Sequence, residues 1–364
     1  MKNTIGNNFT VTLFGESHGK AIGCVIDGIS PGITVDEAFI ASQMEKRKGI
    51  NSISTPRREA DEVKILSGIF EGRTTGTPVC LIIENGDTKS KDYSLTKDIA
   101  RPGHADYTAE CKYHGFQDYR GGGHFSGRIT APLVAAGAIA ISALRKKGIY
   151  IGTHISRCGG INDRAFENYR ADIELLDTVD MPVLCEEKRN EILSFIENAR
   201  SEGDSVGGVL STVVTVMPAG VGEPWFDTVE GMLSHALFSI PAVKGIEFGK
   251  GFDFAQMYGS EANDPFICEN GEISTTTNNN GGINGGITNG MPLTFNVAIK
   301  PTPSVYKSQQ TVDFRKNENT VLDIKGRHDP AIIHRARVVV DSVAALVLCD
   351  LLTTRYGTDY LGSD

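Results

Sequence analysis

Three histidine-bearing turns hold the residues whose types and spacing fit proton chemistry. They are Gly15-Glu-Ser-His-Gly19, Arg101-Pro-Gly-His-Ala-Asp106 and Gly326-Arg-His-Asp-Pro330. An imidazole has an ordinary pKa of about 6.5, so it can give or take a proton near neutrality. Asp106, two residues after His104, is placed to orient that ring and raise its pKa. It also suits the first turn of a helix. In the third turn Arg327 offers an anion contact and Asp329 a proton acceptor, although Asp before Pro is ordinary turn chemistry. Each turn alone reads equally well as a surface loop. Spread over the whole chain, they read as a site assembled from distant loops.

Anion binding is written into a fourth stretch, Arg120-Gly-Gly-Gly-His-Phe-Ser-Gly-Arg128. Glycines let backbone N–H groups approach an anion, the helix expected to follow adds a positive dipole end, and two arginines add charge-assisted donors. Lys46-Arg47-Lys48 closes a helix, where cations are expected in any case. Arg57 and Arg58, and Lys300-Pro-Thr-Pro-Ser304, add further cations and hydroxyls. Walker and strand-linked GxGxxG patterns are absent, as are HExxH and CxxC. Rossmann dinucleotide binding and a zinc site therefore have no support.

These loops need elements to hold them. Alternation predicts strands over 9–14, 21–26, 63–70, 78–83, 206–216 and 291–299. Thr34-Val-Asp-Glu37 reads as a capping box opening a helix that runs to about Lys48. Further helices are expected over 131–144, 187–199, 225–238 and 335–353, the first apolar on most sides. Strands and helices mix without βαβ alternation, which predicts an α+β fold with helices against antiparallel sheets. No clear linker appears, so residues 1–364 are expected to form one large domain. The Gly/Asn-rich run 274–290 reads either as a linker or as an ordered backbone nest, and 9–32 and 203–222 share a pattern that raises an internal duplication.

The chain has 364 residues and a net charge of −9, which excludes a general basic face and argues against nucleic-acid binding. An anionic small substrate would need a local Arg/Lys cluster. Seven cysteines without paired spacing, Cys24 and Cys349 in apolar surroundings, predict free thiols and a reducing cytoplasm. The start of the chain lacks a signal-peptide core, and no membrane span is expected.

At this point the chain resembles the chorismate synthase family. The blocks FGESHG (14–19), TPRRE (55–59), RPGHADY (101–107), DYRGGG (118–123), HALFSIPAVKGIEFG (235–249), GGINGG (281–286), KPTPS (300–304) and GRHDP (326–330) carry the resemblance and span nearly the entire chain. It implies a 1,4-anti elimination of phosphate from 5-enolpyruvylshikimate 3-phosphate, giving chorismate in the shikimate pathway that leads to aromatic amino acids. It implies reduced FMN as cofactor, with NADPH involved only indirectly through flavin reduction. It implies a helical layer sandwiched between antiparallel sheets, and a cytoplasmic homotetramer. By resemblance His18 donates a proton near the leaving phosphate, His104 stands by the flavin N1, and Asp329 assists proton removal through flavin N5. Arg47, Arg101, Arg128 and Arg335 hold substrate anions. His124, Phe125, Ser126, Ala242, Gly285, Lys300, Pro301, Thr302, Pro303, Ser304 and Arg327 face the flavin.

The chain departs from the family pattern in three places. His124 and Phe125 stand where Arg and Ser are usual, 51–54 lacks an arginine, and HRARVVV replaces the usual PRAxPV. No reductase domain is added, so reduced flavin is expected from a separate reductase. The competing readings are a flavin-independent lyase acting on a phosphorylated carboxylate and a flavin-binding module without catalysis. The loops 48–56 and 274–290 are expected to order over bound ligand.

Overall fold

The computed structural model describes residues 2–50, 53–54, 61–86, 97–324 and 328–363. Arg57, Arg58, Arg327 and part of the 48–56 loop lie outside them.

Two antiparallel five-stranded sheets frame the chain. The first runs Thr4–Ile5, Thr10–Gly15, Ala21–Asp27, Val79–Glu84, Val63–Ser67 in spatial order. The second runs Val243–Phe248, Leu293–Ile299, Gly208–Val214, Ile151–Cys158, Ile161–Asn162. Leu293–Ile299 shows why such segments are strands: Leu293, Phe295, Val297 and Ile299 are buried and the residues between them are less so. The helices are α1 Glu37–Glu45, α2 Asp106–Tyr113, α3 Thr130–Lys146, α4 Tyr169–Thr178, α5 Glu186–Ser201, α6 Val229–Leu237, the single turn α7 Gly259–Ala262, and α8 Ile333–Tyr356. The fold is α+β.

Helices α3 and α8 pack on each other. α3 also lies on strands Ala21–Asp27 and Val79–Glu84, and α8 on Ile151–Cys158 and Gly208–Val214. Both are buried on nearly every side, which explains apolar runs without a polar face. By length and hydropathy Gly127–Lys146 would qualify as a membrane span, but 83% of its apolar window is buried inside the fold, as in the core helix of a globular domain. The two helices cross closely at Gly137, where an added Cβ would stand 2.2 Å from the Ser342 Cβ. Gly137→Ala should force the helices apart and cost about 2–3 kcal/mol. Urea denaturation measures this, and an unchanged midpoint would contradict the crossing.

Several local expectations change. Asp36, not Thr34, caps α1, accepting from the N–H groups of Ala38 and Phe39, while Thr34 is held in a backbone bridge to Arg73. The expected helix 225–238 divides into a 3-10 turn, Trp225–Asp227, and α6, because Thr228 is extended and its hydroxyl caps Gly231 N–H. The strand over 63–70 breaks at Gly68, whose φ is +83°. The expected duplication is not seen: 9–32 makes a two-strand hairpin, 203–222 a single strand. The run 274–290 is an organised nest. Asp264 accepts hydrogen bonds from Thr277, Asn279 and Asn280 at 2.6–2.9 Å.

The two ends of the chain meet. Asp350 of α8 accepts from the backbone N–H groups of Asn7, Asn8 and Phe9 at 2.8–3.0 Å. The Ser30 hydroxyl bonds the Thr358 carbonyl.

Candidate active site

Both predicted imidazoles lean on one glycine ribbon. Residues 120–125 form a 3-10 turn in which Gly121 and Gly122 have φ of +59° and +83°, a region that side-chain-bearing residues rarely adopt. A Cβ at Gly121 would stand 2.2 Å from the His18 Cε1, and one at Gly122 would stand 3.3 Å from the His104 Cε1. The two rings therefore sit over consecutive residues. Glycine is required at 121 twice over, for its backbone angle and for the space the His18 ring takes.

The turn of His18 follows strand Thr10–Gly15 and is fastened to this ribbon. Ser17 N–H donates to the Gly123 carbonyl at 3.1 Å. His124 Nδ1 bonds the Gly15 carbonyl at 2.8 Å. His18 is buried. Asp118 and Arg120 pair at 2.7 Å beside it. The Arg120 hydrogen bonds hold the Asp118 carboxyl below its usual range, and the His18 charge adds in the same direction.

His104 is gripped by its own loop. Its Nδ1 lies 3.0 Å from Asp106 Oδ1 and 2.9 Å from Arg101 NH2, while Arg101 chelates Asp106 through Nε and NH2 at 2.8 and 2.7 Å. Burial alone would raise the Asp106 carboxyl, but the Arg101 and His104 contacts outweigh it and hold it well below the carboxylate range. Asp106 thus serves both as orienter and as the first residue of α2. A lowered folded pKa means that this pairing stabilises the fold above the unfolded value near 3.9 and is lost as pH falls through the folded one. The stability difference between wild type and Asp106→Asn should shrink as pH falls below about 4. Thermal melts across pH check this, and a pH-independent difference would refute it.

The third turn reaches the same region. Burial lowers the His328 pKa, and the positive charge of Arg101 lowers it further. His328 N–H donates to the Tyr306 hydroxyl at 3.3 Å. Lys300 Nζ donates to the Gly103 carbonyl, and Pro303 lies 3.3 Å from where a Gly103 Cβ would be. The 300–304 segment therefore backs the Arg101–Asp106 turn. Ser304 is buried, Pro301 exposed, and the buried Thr302 hydroxyl has no hydrogen-bond partner among the described residues.

The four predicted anion-binding arginines all carry internal carboxylates. Arg47 donates to Asp61 at 3.0 Å, and Arg128 donates to the other oxygen of the same carboxylate. Arg335 donates to Asp329 and, through Nε, to the Arg47 carbonyl at 2.7 Å. Arg101 holds Asp106. Three carboxylates thus serve four guanidiniums. Each guanidinium has five donors, so internal pairing and ligand binding are compatible.

The remaining predicted residues are more dispersed. Phe125 packs edge-on against Tyr113 at 6.1 Å, and Ser126 caps the turn before α3 by accepting Arg128 N–H. Ala242, at φ +75°, accepts Lys300 N–H through its carbonyl. Gly285 tips the hairpin of 283–288, whose described contacts include Glu223, Thr228 and Val229. Asp61 and Asn85 were missed. The only sign of Asp61 was an acid just after the paired arginines. Among the described residues, no group of three His, Cys, Asp or Glu side chains is arranged to hold a metal ion. All seven cysteines are free, with Cys24 and Cys349 buried.

Comparison with known proteins identifies the family. The chorismate synthase family model matches residues 9–353. A chorismate synthase of Thermococcus gammatolerans is 48% identical over 351 residues, covering 96% of this chain and 97% of the relative. One of Methanosarcina barkeri is 47% identical over 354 residues, covering 96% and 95%. A crystal structure of chorismate synthase superposes with a TM-score of 0.77 at 28% identity, covering 98% of this chain and 94% of that one. The chain belongs to the chorismate synthase family, lyases that carry out the final step of the shikimate pathway.

Proposed function

We propose that this chain eliminates phosphate from 5-enolpyruvylshikimate 3-phosphate in the 1,4-anti sense, with reduced FMN bound. The observation that carries the reading is the seating of His18 and His104 on consecutive glycines, with Arg101 bonded to the His104 ring. The substrate bears two carboxylates and a phosphate, and Arg47, Arg101, Arg128 and Arg335 offset that charge. His18 donates a proton to the departing phosphate oxygen. His104, fixed through Nδ1 by Asp106, presents Nε2 toward the flavin. Asp329, held by Arg335, assists removal of the ring proton. One proton and one phosphate leave, so the net reaction is redox neutral. Reduced FMN, when held by the residues named below, would supply reversible electron donation to the allylic system, leaving the net reaction unchanged in oxidation state.

The flavin fits the residues present. Thr302 carries a buried hydroxyl without a partner among the described residues, two positions after Lys300, whose amine reaches the Gly103 carbonyl. His124, Phe125, Ser126, Ala242, Gly285, Pro301, Pro303, Ser304 and Arg327 complete the proposed flavin contacts. The layering of sheet, α3, α8 and sheet supports a β-α-β sandwich acting as one domain over 1–364. Exposed aromatics, Trp225, Phe226, Phe252 and Tyr258, support a homotetramer. Free thiols fit a cytoplasmic protein. A separate flavin reductase is proposed as the source of reduced flavin, with NADPH acting only through it. Sustained chorismate formation from NADPH and FMN alone, in air, would refute that last point.

The test is anaerobic phosphate release with photoreduced FMN. Equal amounts of phosphate and chorismate are expected. Unchanged activity with buffer in place of FMN would favour the flavin-independent lyase. FMN binding without product would favour the binding module.

A further inference from the structure

Asn85 sits one residue beyond strand Val79–Glu84, where antiparallel register sets Glu84 opposite Ala21. That register brings it beside the start of strand Ala21–Asp27, and its own N–H donates to the Lys20 carbonyl at 3.2 Å. Its side chain then makes three more bonds. Nδ2 donates to the Glu16 and Gly19 carbonyls, both at 3.0 Å, and Oδ1 accepts from Arg128 Nε at 3.1 Å. The two carbonyls flank His18. A guanidinium only donates and a carbonyl only accepts, so the amide can stand in one orientation alone. Asp has the shape but no donors. Gln has the donors but is one methylene too long.

We infer that Asn85 is a positioning residue that locks the His18 turn to Arg128, fixing the proton donor relative to an anion-binding guanidinium. The inference rests on the proposed elimination for its catalytic meaning, but the lock itself is a property of the free protein. A proton donor misplaced by about 1 Å loses of order 10²-fold in rate, so a link of this kind matters more to turnover than to binding.

The experiment compares Asn85→Asp and Asn85→Ala with wild type. Asp keeps an acceptor for Arg128 but turns a carboxylate toward two carbonyls. Asn85→Asp should keep the substrate KM within about threefold while kcat falls about 10–100-fold, and the acid-to-neutral limb of the kcat profile should move. Asn85→Ala should raise KM as well, because Arg128 keeps Asp61 but loses its second anchor at Nε. A purely structural role would lower the melting temperature without splitting kcat from KM. Wild-type kcat and pH profile in folded Asn85→Asp would overturn the inference. Histidine ring NMR of the ligand-free protein separates this from failure of the elimination reading. The His18 resonances, assigned by their loss in His18→Ala, should shift in both variants. If they stay in place the lock is absent, whatever the enzyme turns over.

Discussion

Replacing His18 with Ala is expected to slow phosphate release by about 10²–10⁴-fold while leaving the protein folded. The turn does not depend on the ring for its shape. Ser17 N–H to Gly123, Gly19 N–H to Glu16 and the Asn85 amide are backbone-directed contacts that Ala preserves. What is lost is the imidazole over Gly121 and the proton it carries. Anaerobic single-turnover assays with photoreduced FMN measure the effect, and circular dichroism checks the fold. Turnover within about threefold of wild type would remove His18 from the chemistry.

Asp61→Ala should cost about 3 kcal/mol of stability, because it withdraws a shared carboxylate from two buried guanidiniums. Arg47, Arg128 and Asp61 each expose only about a tenth of their side chains, 9%, 9% and 10%. Like charges held close without that carboxylate repel. An added anion should partly replace it, so inorganic phosphate or substrate should raise the melting temperature of the variant more than that of wild type. Differential scanning calorimetry with and without phosphate tests both statements. A wild-type midpoint would show that Asp61 carries little of the charge balance.

The elements that local chemistry dictates were legible in the sequence. The apolar stretch before Lys146 had to be a buried helix, and the alternation over 291–299 had to be a strand. The histidine turns were legible because glycine on either side of a polar residue has few other uses. The α1 cap was misassigned because Thr34 and Asp36 both satisfy a capping pattern, and the choice was made by Arg73, 39 residues away from Thr34. The orienting role of Asp106 was legible, but the pairing through Asp61 was not. Asp61 meets Arg128 across 67 residues, and Asn85 meets Arg128 across 43. Such contacts follow from sheet register and helix placement, which no local window contains. The same holds for Gly121 and Gly122, whose meaning depends on which rings arrive above them.

The clasp between Asp350 and the backbone of residues 7–9 has a consequence for biosynthesis. Its partners are separated by more than 340 positions, so a nascent chain emerging from the ribosome cannot close it until translation is nearly complete. The amino-terminal hairpin that bears the first imidazole can pair with Val79–Glu84 early, but its clasp must wait for α8. Competence should therefore appear late and all at once. A chain shortened by its final thirty or so residues would lose its first turn as surely as its last helix.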